Sequence, residues 1–109
     1  MRKKRTVHLT AGILYAPVYT APARFEADVK SIIVANVGTS AATFDIKYYE
    51  KLTDTTHFIV KGVTISRGQM IQITDPLFLL VNDKLIVSAS TADTVKFTVT
   101  VNEEPAYTI

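Results

Sequence analysis

The sequence contains no cysteine and no tryptophan, and it has only four glycines and four prolines among 109 residues. The absence of cysteine excludes a disulfide framework and a thiolate metal site. The four glycines are scattered, so the chain has no glycine-rich loop for phosphate binding. No apolar run approaches the roughly 20 residues that a helix needs to span a bilayer, so we expect no membrane contact. A small domain without disulfide bonds or a structural metal depends on a well-packed core or on a partner.

Side chains that could carry catalysis or hold a metal are also sparse. The two histidines, His8 and His57, lie far apart in the sequence, and a metal site needs three or four converging ligands. No serine lies in a G-x-S-x-G motif. Glu103 and Glu104 are adjacent, so in a strand they would point to opposite faces instead of pairing for acid–base catalysis. We therefore expect no enzyme activity, no metal and no cofactor.

Positive charge is concentrated at the N-terminus, although the net charge of +2 is too small to predict general nucleic-acid binding. This basic run is either a solvated tail or an electrostatic arm that contacts an acidic neighbouring subunit or, as a weaker alternative, nucleic acid. Thr6, His8 and Thr10 interrupt any apolar signal-peptide core, so we expect a protein made in the cytosol without export. The basic run comprises Arg2, Lys3, Lys4 and Arg5.

Apolar and polar residues alternate with a period of two along most of the chain, most clearly from Val95 to Val101. No stretch carries helical spacing for more than about two turns. Short runs bounded by turn residues every 8 to 12 or so positions predict an all-β fold, a single antiparallel β-sandwich. We expect about seven to eight strands in an Ig-like or jelly-roll-like arrangement. The predicted core comprises Phe44, Ile46, Phe58, Val60, Leu85, Val87, Phe97 and Val99.

Turn residues between the runs predict how the strands are connected. Residues 36–40, "NVGTS", separate two apolar runs in the manner of a hairpin, and residues 90–93 separate the last two runs similarly. Residues 52–55 form a third predicted turn. The expected organisation is a basic N-terminal arm over residues 1–12, a β-sandwich over residues 13–101 and a C-terminal arm over residues 102–109.

Tyrosines outside the core pattern are candidate contact residues, because tyrosine gives large and rigid contact area in interfaces. Tyr15 and Tyr19 are spaced i, i+4 in an extended segment, so they should share a face. Tyr48 and Tyr49 are adjacent, so one of them should face solvent or a partner. Ordinary cross-strand pairing is the alternative explanation for these tyrosines. The interaction candidates are Arg2, Lys3, Lys4, Arg5, Tyr15, Tyr19, Tyr49, Tyr107 and Ile109.

The two predicted arms could supply the contacts between copies. Residues 1–10 combine a basic tip with an alternating stem, which could add as a strand to the sheet edge of a neighbour. Residues 102–109 are acidic near their start, and Tyr107 and Ile109 offer two apolar anchors. We expect residues 1–10 to be dispensable for folding and needed for assembly.

Four segments occur in a characteristic order between about Thr20 and Val101. They are "YTAPARFEADVKSIIVAN", "TSAATFDIKYYE", "VTISRGQMIQITDPLFL" and "VNDKLIVSASTADTVKFTVTV". In this order and spacing they resemble a family of small tailed-phage virion structural proteins and virion-associated β-sandwich modules. Arg24 stands where a glycine is usual in that family, which suggests a reshaped first loop. Asn82 also replaces a usual glycine, but asparagine tolerates a left-handed turn.

The resemblance implies a β-sandwich with a structural role in a bacteriophage virion, assembled in the host cytoplasm, and no catalytic residues. We expect a capsid decoration or cement protein that binds the major capsid protein and forms a homo-oligomer, such as a trimer. A neck or tail accessory protein, such as a fibre-attachment or collar component, is the alternative. A carbohydrate-binding module for host-surface glycan is a third candidate, which the lack of tryptophan disfavours.

Overall fold

A computed structural model describes residues 3–74, 77–91 and 93–105, except for the side chain of Lys3. Within these residues the chain forms nine β-strands and no helix. No helix able to cross a membrane is therefore found among them. The strands are β1 (Lys3–Thr10), β2 (Ala16–Thr20), β3 (Phe25–Asn36), β4 (Ala42–Glu50), β5 (Thr55–Ile65), β6 (Met70–Ile73), β7 (Leu77–Leu79), β8 (Lys84–Ala89) and β9 (Val95–Pro105).

The strands form two antiparallel sheets, so the predicted all-β sandwich is confirmed. The first sheet has the order β1-β9-β3-β6, with β7 also paired to β3, and the second has the order β2-β8-β4-β5. Because β6 and β7 both pair with β3, they act as one strand in two pieces. Each sheet then has four strands, and β1 to β4 alternate between the sheets. Of the two predicted arrangements, this is the jelly roll.

The sheet order corrects two of the predicted hairpins. β3 and β4, which flank residues 36–40, lie in different sheets, and so do β8 and β9, which flank residues 90–93. The predicted turn at residues 52–55 does join hydrogen-bonded neighbours, β4 and β5. A period of two identifies a strand but not its partner, and consecutive strands pair in only about two-thirds of cases.

The core lies between the inner faces of the two sheets. Phe44 of β4 and Phe97 of β9 meet edge to face, with ring centroids 5.8 Å apart and an interplanar angle of 74°. The prediction for Phe58 is wrong, because its side chain is 48% exposed. Val60 is half-buried and packs against the core. The other predicted core residues are buried: Phe44, Ile46, Leu85, Val87, Phe97 and Val99.

A register shift in β5 explains why Phe58 lies outside the core. Ile46 of β4 lies opposite Val60, whereas the next β4 residue, Lys47, lies opposite Phe58. Ile59 is therefore an extra residue in β5, and such a β-bulge reverses the faces that the residues beyond it occupy. Phe58 consequently lies with Lys47 on the outer face of the second sheet.

Two left-handed turn residues stand at the glycine positions of the resemblance. Asn82 has a φ of 67°, as expected for a turn that asparagine can hold. Arg24 has a φ of 70° in the loop between β2 and β3. At this residue the backbone has the conformation that a glycine favours, and the reshaping of the first loop stays a prediction. An arginine is sterically strained in this backbone conformation, whereas a glycine is not.

We predict that Phe97→Ala lowers the free energy of unfolding by about 3–5 kcal/mol, as is typical of a buried phenylalanine. Phe58→Ala is the matched control, and it should cost less than about 1 kcal/mol because half of that side chain is already in solvent. Urea denaturation followed by circular dichroism measures both values. Equal losses would mean that the outer face of β5 is buried, contrary to the structure.

We predict that Arg24→Gly raises the free energy of unfolding by roughly 0.5–1 kcal/mol. Glycine removes the steric strain of the left-handed backbone conformation, and this gain exceeds the loss that comes from the greater conformational entropy of glycine in the unfolded state. Arg24→Ala is the control, since it removes the guanidinium but keeps the Cβ atom. It should give no such gain. Calorimetric unfolding distinguishes the two variants, and stabilisation by both would point to the side chain instead of the backbone.

Candidate interaction surfaces

The predicted arms lie partly within the sheets. Residues 3–10 form β1, which pairs with β9 along its whole length, and residues 102–105 form the end of β9. The division of the chain into arms and sandwich stays a prediction, but residues 3–10 are a sheet strand and not a free tail. Of the interaction candidates, Arg2, Tyr107 and Ile109 lie outside the described residues, and Lys4 is exposed.

A buried carboxylate on β9 joins three strands. Glu103 is only 2% exposed, and its Oε2 accepts a hydrogen bond of 2.5 Å from the hydroxyl of Tyr19 on β2. Nη1 of Arg5 on β1 donates to the same oxygen at 3.3 Å. Burial and the bond to Glu103 raise the pKa of Tyr19, which keeps its hydroxyl protonated as a donor. A buried carboxylate without partners is costly, so these contacts favour the docked positions of β1 and β2.

Tyr15 and Tyr19 do not share a face. The register between β2 and β8 shifts between Pro17 and Tyr19, which makes Val18 an extra residue in β2. This bulge reverses the side on which the following residue lies. Tyr19 is therefore buried against Glu103 and unavailable to a partner, whereas Tyr15 is exposed.

Tyr15 belongs to a cluster on the outer face of the second sheet. Its hydroxyl donates to Oδ2 of Asp45 at 2.6 Å, and Oδ1 of Asp45 accepts from the backbone N–H of Gly62 at 2.6 Å. The bond from Tyr15 is the main cause that lowers the pKa of Asp45, so this carboxylate stays charged. Nζ of Lys47 lies 3.7 Å from the ring centroid of Tyr15 and 4.7 Å from that of Phe58. The cluster ties the segment before β2 to the bulged strand β5.

Tyr48 and Tyr49 point to opposite faces, as the alternation predicts. Tyr48 packs against the core and stacks on His57, with ring centroids 4.9 Å apart. The hydroxyl of Tyr49 donates to Oδ1 of Asp54 at 2.5 Å, and Nζ of Lys84 lies 5.8 Å from its ring centroid. Tyr49 thus already has partners within its own chain.

The side chains of His57, Glu50 and Asp83 are engaged in local contacts. Nε2 of His57 lies 2.6 Å from Oε1 of Glu50. The two carboxylate oxygens of Asp83 accept backbone N–H bonds from Lys51 and Leu80, each at 2.9 Å. Within the described ranges, no three histidine, aspartate or glutamate side chains come together as a candidate metal site.

Comparisons with known proteins identify the fold but no family. No family model and no curated protein matches the chain. A protein of the T13 particle of infectious bursal disease virus aligns with 94% of this chain at a TM-score of 0.61 and 10% identity. A subunit of the disulfide-linked pili on Bacillus endospores aligns with 99% of this chain and 88% of its own, at a TM-score of 0.59 and 14% identity.

A third similar chain comes from the acid-stable capsid of Helicobacter pylori bacteriophage KHP30. It aligns with 94% of this chain and 92% of its own, at a TM-score of 0.54 and 13% identity. This chain spans only 30% of the length of the infectious bursal disease virus protein. At such identities the likeness establishes a shared fold.

We predict that Arg5→Ala lowers the free energy of unfolding by about 1–2 kcal/mol, because it removes the cation beside a buried carboxylate while Arg5 itself stays partly in water. Lys4→Ala is the matched control and should cost less than about 0.5 kcal/mol, as an exposed surface residue does. Chemical denaturation measures both. Equal small losses would mean that the contact between Arg5 and Glu103 contributes little to stability.

Proposed function

We propose that the protein is a non-enzymatic structural protein of a bacteriophage virion. In this proposal it is a capsid decoration or cement protein that binds the shell and other copies of itself. The observation that carries the proposal is the jelly roll that it shares, over 94% of its length, with the capsid of phage KHP30. The resemblance of four sequence segments to small phage virion proteins supports the same class.

The chemistry of the described side chains supports a structural role. Asp45, Asp83 and Glu103 each accept hydrogen bonds from their own chain, and those bonds join loops and strands. Asp45 lines a pocket, and both of its carboxylate oxygens accept hydrogen bonds, from Tyr15 and Gly62. These three carboxylates thus stabilise the fold.

Self-association is part of the proposal because capsids and pili both contain many subunits. A small protein of 12.0 kDa can bind weakly at each contact and still hold firmly through many contacts. The Bacillus pili are disulfide-linked, whereas this chain has no cysteine. Contacts between its copies would therefore not use disulfide links.

The alternative within this class is a neck or tail accessory protein, and the location on the particle distinguishes the two. Because the chain has no cysteine, Leu52→Cys gives a single attachment point on a side chain that is 88% exposed. We expect gold-labelled protein to decorate the whole head of particles that lack the native protein. Label confined to one vertex or to the tail would favour the accessory role. Absence of label from particles would contradict the virion proposal.

A carbohydrate-binding role is the second candidate, and one observation favours it. A pocket of about 230 Å³ beside Tyr15 has hydroxyl and carboxylate side chains in its lining, together with Ile13, Phe44 and Ala89, and hydroxyl and carboxylate groups can bind sugars. A glycan array with the purified protein tests this role. Selective binding that Tyr15→Ala abolishes would support it.

A further inference from the structure

The pocket beside Tyr15 lies on the outer face of the second sheet, and neighbouring strands supply its polar groups. Thr43 and Asp45 are two residues apart on β4, so they share this face, and Asp45 lies opposite Ser88 of β8. The pocket volume of about 230 Å³ is below the roughly 300–1,000 Å³ of pockets for drug-sized ligands, so it suits one small unit such as a sugar ring. The lining residues are Ile13, Tyr15, Thr43, Phe44, Asp45, Ser88, Ala89 and Ser90.

Hydrogen bonds within the chain hold Asp45 in place without using all of its acceptor capacity. Its two carboxylate oxygens each accept one bond, from the Tyr15 hydroxyl and from the N–H of Gly62, both at 2.6 Å. A carboxylate offers about four acceptor positions, so about two remain. The bond from Tyr15 is the main cause that lowers the pKa of Asp45, which keeps the carboxylate charged. Asp45 can therefore accept hydrogen bonds from the hydroxyl groups of a ligand.

Hydroxyl groups in the pocket lining add both donors and acceptors. The Tyr15 hydroxyl donates to Asp45, and its oxygen can still accept a bond. Oγ of Ser90 accepts the N–H of Thr43 at 2.9 Å, and a hydroxyl can donate its own proton at the same time. The side chains of Thr43 and Ser88 carry hydroxyls as well. This mixture matches a sugar, since each sugar hydroxyl also donates and accepts.

Two lysines place excess positive charge beside Asp45. Lys47 follows Asp45 by two residues on the same face of β4, and Lys61 precedes the glycine that bonds to Asp45. After the hydrogen bonds from Tyr15 and Gly62, the charges of both lysines also lower the pKa of Asp45. The ion pairs between described side chains include neither lysine. Two cations beside one carboxylate leave a positive charge that an anionic ligand can neutralise.

Aromatic rings hold the two ammonium groups at this face. Nζ of Lys47 lies 3.7 Å from the ring centroid of Tyr15 and 4.7 Å from that of Phe58. Nζ of Lys61 lies 5.1 Å from the centroid of Phe58. Cation–π attraction favours these positions, so a ligand anion would meet cations that are already placed. Because Tyr15 lines the pocket, the ammonium of Lys47 lies at its rim.

The mixed charges of the site favour an acidic sugar over a nucleic acid. A phosphodiester backbone carries a negative charge at every nucleotide, and its phosphate oxygens only accept hydrogen bonds, so Asp45 would repel it. Stacking of a base needs a free ring face, whereas the ammonium of Lys47 covers one face of Tyr15. A sugar that carries a carboxylate offers an anion to the lysines and hydroxyl donors to Asp45.

We propose that the pocket beside Tyr15 and the adjoining lysines bind a carboxylate-bearing sugar, such as a uronic acid unit of a polysaccharide. The sugar carboxylate contacts Lys47, and the sugar hydroxyls donate to Asp45. The inference rests on the carbohydrate-binding role, which is the second candidate function, and it names the class of sugar. Lys47 determines the specificity, because a neutral sugar gives its ammonium no charged partner.

Lys47→Gln tests the proposal, with Lys96→Gln as the matched control. Both variants remove one positive charge, and Lys96 is exposed on β9 of the first sheet. On a glycan array that holds uronic acid oligosaccharides and their neutral counterparts, the wild-type protein should retain the acidic members preferentially. Calorimetric titration with the best acidic glycan should give a dissociation constant at least about tenfold higher for Lys47→Gln, because a charge-assisted hydrogen bond is lost. Lys96→Gln should leave it unchanged.

Two further measurements separate a specific site from general attraction between charges. Circular dichroism should show that both variants fold as the wild-type protein does. A single-stranded DNA oligonucleotide should compete poorly with the acidic glycan, because it lacks the sugar hydroxyls that Asp45 accepts. Equal retention of acidic and neutral glycans, equal effects of the two lysine variants, or effective competition by the DNA would overturn the proposal.

The outcomes distinguish this inference from the proposed functions. Binding of neutral glycans that Tyr15→Ala abolishes, with no gain from a carboxylate, would refute the acidic-sugar specificity and leave the carbohydrate-binding role. Binding of no glycan at all would refute both. The labelled particles alone decide the virion role in either case.

Discussion

Apolar packing between the two sheets is the interaction on which the rest of the structure depends, with Phe44 against Phe97 at its centre. A jelly roll leaves the backbone of its connecting loops at the two ends of the core, where polar groups need partners. Asn36 supplies them at one end, and Asp83 supplies them at the other by accepting N–H bonds from two loops. Both residues are buried. The chain thus closes both ends of the core with hydrogen-bonding side chains, without disulfide bonds.

Alternation along the chain was sufficient to predict the strands and the sandwich, because each strand buries one face and exposes the other. It could not predict which strands pair, since β3 and β8 look the same whether the chain turns back or crosses to the opposite sheet. Alternation also predicted the wrong face of the sheet for residues beyond a β-bulge, where a strand contains one extra residue. Val18 and Ile59 each shift a strand by one position, which sent Tyr19 inward and Phe58 outward. Neither bulge has a clear signature in the sequence.

Part of the polar network was nevertheless visible in the sequence. Glu103 continues the buried series through Val99 and Val101, two positions at a time, and Arg5 lies in phase with Val7 and Leu9. Extending the period of two by one more residue in each strand would have placed an acid and a base on the inner face. Asn36 and Asp83 could not be recognised in this way, because a buried loop-joining residue and an ordinary turn former have the same local sequence.

The sheet edges explain why assembly would use loops more readily than strand addition. β2 has five residues and contains Pro17 and a bulge, β5 has bulges of its own, and β6 and β7 are four and three residues long. β1 begins with lysines and an arginine, and it already pairs with β9 of its own chain. Such features oppose edge-to-edge pairing. Because β1 is an edge strand, the expected addition of residues 1–10 to a neighbour would use the outer side of β1 while β1 stays paired with β9, and the charges at the start of β1 are what oppose it. Loops at the ends of the sandwich can contact a partner with every strand in place.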